Sequence, residues 1–307
     1  MSLRGEDCRR GQAMVVCLVA IAFLSAVLGA SSMILLTYGR KAAYDESRLA
    51  AFYLARSGLE SGYVSLQRDD QSYDTLRDGW NLNAGQNGNA LGDGRFGLGQ
   101  KADGPGLTAP PVIDEERKLN INRATQSMLM ALSPAIGQEA AAAIVQRRGH
   151  RPFVSLAELH DVSGFNRKLL EEASAPGSDW PLCRLLTAHG IGKLNVNTAS
   201  LATLRCVPGL GKEGTHELLK RRRGPDNEAG TGDDRAFSSR QQLLQWLKKT
   251  TKSWQTASRW LTVRSTCFTL RAWGRSEKRP PATFLLKTVV RRMPKKLEII
   301  EFRQNGE

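Results

Sequence analysis

The chain is poor in the residues that carry chemistry. Its 307 residues include 4 histidines and 5 cysteines. His150, His160, His189 and His216 show no zinc-ligand spacing. The glycine-rich stretches lack the GKS/T ending of a P-loop, and no nucleophile motif is present. With neither a base-and-nucleophile set nor a nucleotide motif, the sequence reads as a non-enzyme that requires no cofactor. Of the cysteines, Cys8 and Cys17 precede or fall within an apolar run, which leaves Cys183, Cys206 and Cys267. An oxidising compartment would permit one disulfide and leave one thiol. Cys206 and Cys267 each stand where a small apolar core residue fits, so plain burial is the simpler expectation.

Acidic charge is also short. Lys and Arg number 44 against 30 Asp and Glu, a net charge of +14. Such an excess raises nucleic acid or anionic lipid as a partner. The cations are spread along the chain, with local clusters at Arg221-Arg222-Arg223, Arg291-Arg292 and Lys295-Lys296.

Near the N-terminus the charge disappears altogether. Residues 13–36 carry none, and ~20 apolar residues in a helix suffice to cross the hydrocarbon of a bilayer. Arg9 and Arg10 precede the run, so the positive-inside rule leaves the N-terminus in the cytoplasm and the bulk of the chain on the far side. A secretory signal has an apolar core of only ~7 to 15 residues and a small-x-small cleavage site. Here the run is longer, and Leu28-Gly29-Ala30 puts leucine where a small residue belongs. An uncleaved anchor would retain residues 1–11. A third possibility follows from residues 38–66, which lack proline and place apolar side chains at Phe52, Ala55, Leu59, Tyr63 and Leu66. That spacing marks one helical face, so a single helix is expected over 12–67, transmembrane over about 13–36 and amphipathic beyond.

Residues 68–116 are glycine-rich, then proline-bearing, and read as loop around one short strand near 94–100. An internal repeat fills 117–260, with copies at about 118–175 and 193–255. "KLNINRAT" recurs as "KLNVNTAS", Gln146-Arg147-Arg148 is answered by Lys220-Arg221-Arg222, and Phe153 by Phe237. Ser155 with Glu158, and Ser239 with Gln242, form capping boxes that open a helix. Each copy therefore reads as helix, tight turn, helix, loop, capped helix. This pattern resembles the helix-hairpin-helix motif, in which a turn glycine brings two helices together and helix N-terminal amides hold a phosphate. The second hairpin keeps that form through Gly209, Gly211 and Lys212, whereas Ala135 replaces the leading glycine in the first. The second copy also carries an extra loop, "GPDNEAGTGDDR", in which Asp226, Asn227, Asp233 and Asp234 supply the oxygen ligands that Ca²⁺ prefers. A solvated acidic turn is the competing reading, because EF-hand spacing is absent.

Residues 261–307 change character. Alternation over 261–274, 282–292 and 296–302 predicts three strands in an antiparallel meander. Its apolar face needs a cover, and the amphipathic half of the long helix is available. The fold class expected is α+β: a long N-terminal helix on an antiparallel sheet, with an inserted helical domain of two repeats.

A short basic leader ending in Arg9-Arg10-Gly11 ahead of a long apolar helix resembles a type IV pilin or pseudopilin precursor. "AFYLARSGLESGYVSL" and "VRSTCFTLRAWGR" are similar to the protein K (GspK) family of type II secretion minor pseudopilins, and the resemblance runs over nearly the whole chain, most thinly over 68–112. It implies cleavage by a prepilin peptidase between Gly11 and Gln12 and N-methylation of Gln12. It further implies residence in the inner membrane, and assembly with I- and J-type minor pseudopilins and the major pseudopilin at a periplasmic tip. Most pilins carry a glutamate five residues into the mature chain. Val16 stands there, as the protein K family would have it. Some secretion pseudopilins bind calcium, which favours the acidic loop. Two rivals remain, a type IV pilus minor pilin and a membrane-anchored DNA receptor using the Gly209-Gly211-Lys212 hairpin; nucleic acid is the less favoured partner, since such a receptor would end soon after its hairpins.

Overall fold

The computed structural model describes residues 4–69, 72–82, 88–99, 111–176, 178, 180–294 and 296–304, with side chains from Met14 onward save that of Leu82. Helix α1 (Arg4–Arg68) is one unbroken element of 65 residues. It begins ahead of the expected start at residue 12, because nothing from residue 4 onward is a proline that would stop a turn from propagating. A short α2 (Gly79–Leu82) follows, then β1 (Asn89–Ala90), β2 (Gly94–Leu98) and β3 (Val112–Asp114).

The main sheet runs β1-β2-β8-β9-β10, where β8 is Cys267–Ser276, β9 Ala282–Arg292 and β10 Leu297–Gln304. All its pairings are antiparallel, and β3 joins β8 at Asp114↔Phe268 beyond the end of β2. The meander is thus as expected, except at its start. Residues 261–274 do not form one strand: Leu261–Thr262 leaves the sheet to pair with the second repeat, and the main strand begins at Cys267.

The C-terminal half of α1 lies across this sheet, burying Ala51, Leu54, Ala55, Leu59 and Leu66. Phe52 and Tyr63 only flank that face. Small residues line the contact because the backbones nearly touch. A Cβ on Gly274 would stand 2.2 Å from the Ala55 nitrogen, and one on Gly62 would stand 2.5 Å from Leu270 Cδ2. Trp80 closes the core edge-on to Phe268 at 5.3 Å. Each large side chain fully buried here contributes ~1.5–3 kcal/mol.

Between β3 and β8 lie two helical modules, each with its own core. The first comprises β4 (Leu119–Asn120), α3 (Gln126–Leu132), α4 (Gly137–His150), a capped 3-10 turn at Leu156–Asp161, α5 (Arg167–Glu172), α6 (Leu182–Leu185) and β5 (Leu186–Thr187). The second comprises β6 (Leu194–Asn195), α7 (Leu201–Arg205), α8 (Gly211–Arg222), α9 (Arg240–Thr250), α10 (Trp254–Trp260) and β7 (Leu261–Thr262). A two-residue parallel bridge closes each, β4 with β5 and β6 with β7. Trp260 packs against both cores. Ser155 and Glu158 form the predicted capping box, though on a 3-10 turn rather than an α-helix. At α9, Ser239 accepts from the Gln242 amide, while the Gln242 side chain caps Ser238 instead.

Candidate functional surfaces

Four regions hold the residues that the sequence singles out. In the first half of α1, every large apolar side chain from Met14 to Leu36 is exposed, including Phe23 at 67% and Leu35 at 71%. A window of this helix reaches a mean hydropathy of 2.5, with none of it buried against the rest of the chain. An apolar stripe of that length, uncovered on all sides, is suited to hydrocarbon rather than to water. Gly11 and Gln12 lie inside the helix, and their side chains fall outside the described residues. Val16 sits on the exposed apolar surface.

Within the modules, the duplication extends to single hydrogen bonds. Phe153 N–H donates to Asn122 Oδ1 (2.7 Å) and Asn122 Nδ2 donates back to the Phe153 carbonyl (2.9 Å). Asn197 repeats both bonds with Phe237, at 2.8 and 3.0 Å. Arg148 Nη1 donates to the carbonyls of Ile121 and Ala124, both at 2.6 Å. Arg222 Nη1 does the same to Val196 (3.0 Å) and Ala199 (2.7 Å). Arg147 stacks on Phe153 and Arg221 on Phe237. Arg221 and Arg222, part of the cationic cluster near the second hairpin, are therefore scaffold groups.

Around the second hairpin, Gly209 (φ +82) and Gly211 (φ +70) both take a left-handed backbone. They differ in surroundings. A Cβ on Gly209 would meet the Ser253 carbonyl at 2.8 Å, so that turn is packed under the start of α10, whereas Gly211 faces open space. Lys212 opens onto a groove of about 490 Å³ that Arg205, His216, Lys220 and Arg223 also line. Of the proposed phosphate-binding triplet, then, Lys212 lines the groove, Gly211 faces open space and Gly209 is packed.

In the 224–235 loop the expected calcium ligands serve their own turn. Asp233 Oδ2 accepts from Asp226 N (3.0 Å) and its Oδ1 from Thr231 Oγ1 (2.8 Å). Asp226 accepts from Glu228 N and Asp234 from Gly230 N. Asn227 takes a left-handed φ of 60°. These bonds hold the Asp233 carboxyl below its ordinary range, chiefly through the Asp226 amide. Among the described residues, Asp69, Asp74 and Asp78 are the carboxylates that do converge within 4.8 Å. Arg292, buried against Phe268, pairs with the first two of these (2.9 Å to Asp69) and donates to the Ser265 carbonyl at 3.0 Å.

A fifth region was not anticipated. Asp114, Glu115 and Glu116 are consecutive and all buried. Asp114 accepts from Thr198 and from Ser265 Oγ (2.7 Å) and Asn195 Nδ2 (3.2 Å). Glu115 accepts from Lys118 Nζ (2.6 Å), Thr187 Oγ1 (2.6 Å) and Thr269 Oγ1 (2.7 Å). Glu116 accepts from Thr266 Oγ1 (2.6 Å) and Cys267 N (3.1 Å). One turn of chain thereby ties both modules to the sheet. Burial pushes the Asp114 carboxyl up, and burial together with the Asp114 charge does the same to Glu116. For Glu115, burial is overcome by the Lys118 charge and the donors around it, which hold it at about 2. Three acids ahead of the first repeat were the available signal; as a single charged run they look like a solvated linker.

Cys183, Cys206 and Cys267 are free thiols, the last two buried. This agrees with the expectation of burial over bridging.

A helix-hairpin-helix motif family model matches residues 114–175. No curated protein matches the chain. Among solved structures, the chain is similar to one in the crystal structure of the GspK-GspI-GspJ complex from the enterotoxigenic Escherichia coli type 2 secretion system. The identity is 16% and the TM-score 0.54, covering 90% of this chain and 99% of that one. The two share a fold, and the α+β architecture expected from the sequence is the one found.

Proposed function

We propose that this chain is a minor pseudopilin of the protein K type, acting by packing rather than by catalysis. The observation that carries the reading is α1: an exposed apolar half continues without a break into a half laid on an antiparallel sheet. The likeness to a chain of the GspK-GspI-GspJ complex across 90% of this chain supports it. On this reading a prepilin peptidase cuts between Gly11 and Gln12, and Gln12 is N-methylated. The helix stays in the inner membrane with its start in the cytoplasm, while sheet and modules occupy the periplasm. I- and J-type minor pseudopilins and the major pseudopilin are the partners, and the tip complex initiates or caps a pseudopilus exporting folded proteins. The inserted modules add bulk above α1, which obstructs a further subunit. Binding of Ca²⁺ by the 224–235 loop belongs to the same proposal.

The test is the intact mass and N-terminal peptide of the membrane-extracted protein, made with and without an active prepilin peptidase. A peptidase-dependent start at Gln12, one methyl heavier, is expected. Retention of residues 1–11 in both cases sinks the reading. A second reading, a membrane-anchored DNA receptor, is favoured by the cationic groove beside Lys212. It predicts DNA binding that falls steeply with salt and is lost on changing Lys212.

A further inference from the structure

We infer that the seam between the sheet and the first module is a binding site for a single oxyanion group, phosphate or carboxylate, gripped by Arg117, Arg184 and Arg271. A cavity of about 60 Å³ lies there, lined by these three arginines with Lys118, Trp180 and Cys183. That volume takes one such group and excludes a nucleotide or a folded peptide.

The cations reach it from three separate elements: Arg271 from β8, Arg117 and Lys118 from the turn after β3, and Arg184 from α6. Arg117 is fixed over the Trp180 ring at 5.0 Å. Gathering like charges in a half-buried pocket is unfavourable unless an anion compensates them. Asp114 and Glu115 offset Arg117, and Glu115 offsets Arg271, only through space, because their hydrogen bonds are made elsewhere. Glu115 binds Lys118 and two threonine hydroxyls. Asp114 is occupied by Thr198, Ser265 and Asn195, and Glu171 pairs with Arg167 at 2.9 Å. Among the described residues, no carboxylate accepts a hydrogen bond from the guanidinium of Arg117, Arg184 or Arg271.

Nor does Cys183 supply the missing charge. Burial pushes its thiol up in spite of Arg184 and Lys118, so it stays neutral. Crowding extends to Lys287, the register partner of Arg271 on β9; burial and the Lys118 charge push it down. Arg271 is pushed down likewise by burial and by Arg184. Planar guanidinium groups match the spacing of oxyanion oxygens and bind them in forked pairs. An entering anion would therefore meet preformed donors and relieve an existing repulsion.

The test titrates inorganic phosphate, and separately acetate, into the full-length protein in detergent at fixed ionic strength balanced with chloride. Thermal unfolding and calorimetry are the readouts. A saturable rise in the unfolding midpoint with a matching heat of binding is expected. Arg184→Gln and Arg271→Lys, the second keeping the charge but losing the fork, should each weaken binding about tenfold or more. Lys212→Gln, on the other groove, should not. Saturation by acetate as well as phosphate identifies an acidic side chain as an occupant, and saturation by phosphate alone identifies a tetrahedral anion. A response no larger than that to chloride, or one untouched by both arginine variants, overturns the site. The outcome is independent of the pseudopilin reading.

Discussion

Asn120 and Asn195 occupy the same place in the two modules, and each holds the amide two residues further on. For Asn122 N the distance is 2.8 Å, and for Asn197 N it is 3.0 Å. Their other ends part company. Asn120 Nδ2 donates to the His189 carbonyl at the exit of its own module (2.6 Å). Asn195 Nδ2 reaches out to Asp74, Asp114 and Ser265. A second divergence lies on the long hairpin helix. Lys212, His216, Lys220 and Arg223 of the second module correspond to Gln138, Ala142, Gln146 and Gly149 of the first. Since the first copy folds with neutral residues there, folding does not require these cations. Duplication provides its own control: what both copies keep is scaffold, and what one copy adds is attachment or recognition.

The scaffold arginines should separate the copies most. Arg222 is buried and Arg148 is not, so Arg222→Met should cost about 3 kcal/mol by stranding two carbonyls, and Arg148→Met about 1–2 kcal/mol because water reaches that position. Denaturant midpoints check this, and equal losses would break the claim that the second module is the drier of the two. Next come the asparagines. Asn197→Ala should destabilise by about 2–3 kcal/mol and Asn122→Ala by somewhat less, each leaving its phenylalanine backbone without partners. Measured in both single variants and the double, the effects should be close to additive, since the cores are distinct.

The two anchors should also differ in pH response. Glu115, which ties the first module to the sheet through Thr187 and Thr269, is held at about 2 and stays ionised throughout the range from pH 5 to 8. Asp114 holds the second module through Thr198 and Asn195, and Glu116 holds Thr266 and Cys267 where the chain returns to the sheet. Both have raised values, and Asp74 is pushed up to about 7, burial outweighing Arg292. A carboxyl with a raised folded value keeps its proton when the unfolded chain releases it at about pH 4. Its contribution is complete below that pH and declines as pH rises through the folded value. The unfolding midpoint should thus be higher at pH 5 than at pH 8, and amide exchange at pH 8 should open the second module first. Glu116→Gln should flatten the difference. The smallest effect concerns the loop that only the second copy carries. Asp233→Asn replaces one of the two oxygens that accept from Thr231 and Asp226 with an NH2 donor and should lower stability slightly. Any rise in midpoint with Ca²⁺ over EGTA should vanish in that variant and in Asp226→Asn.

Much of the fold was legible because its signals are local. Period-two alternation located β9 to the residue, and the 3,4 spacing located the buried face of α1, although on its large residues. The close approaches at Gly62, against Leu270, and at Gly274, against Ala55, were invisible, since a glycine signals close approach only once its neighbour across the interface is known. The closing bridges were missed for a similar reason. Arg184-Leu-Leu-Thr187 and Arg259-Trp-Leu-Thr262 are a weak echo 75 positions apart, and Leu261 was absorbed into a strand because its alternation continues that of β8. The acid triplet could not be placed because each carboxylate bonds partners 72 to 154 positions away. Of the candidate sites, the apolar run was plain from composition, while the arginine pocket depends on Arg117, Arg184 and Arg271 meeting in space.

The chain leaves the sheet at Asp114 and comes back at Cys267, and Asp114 faces Phe268 across the β3–β8 ladder. Both ends of the excursion are thereby held at about one interstrand spacing, ~4.8 Å. To the host sheet, everything between them is a hairpin loop of unusual length, and doubling such a loop adds only ~0.6 kcal/mol to the entropy of closing it. Loops of very different size are therefore interchangeable at this junction. The host could have acquired one module, copied it in tandem, or lost both, without any strand changing its neighbour.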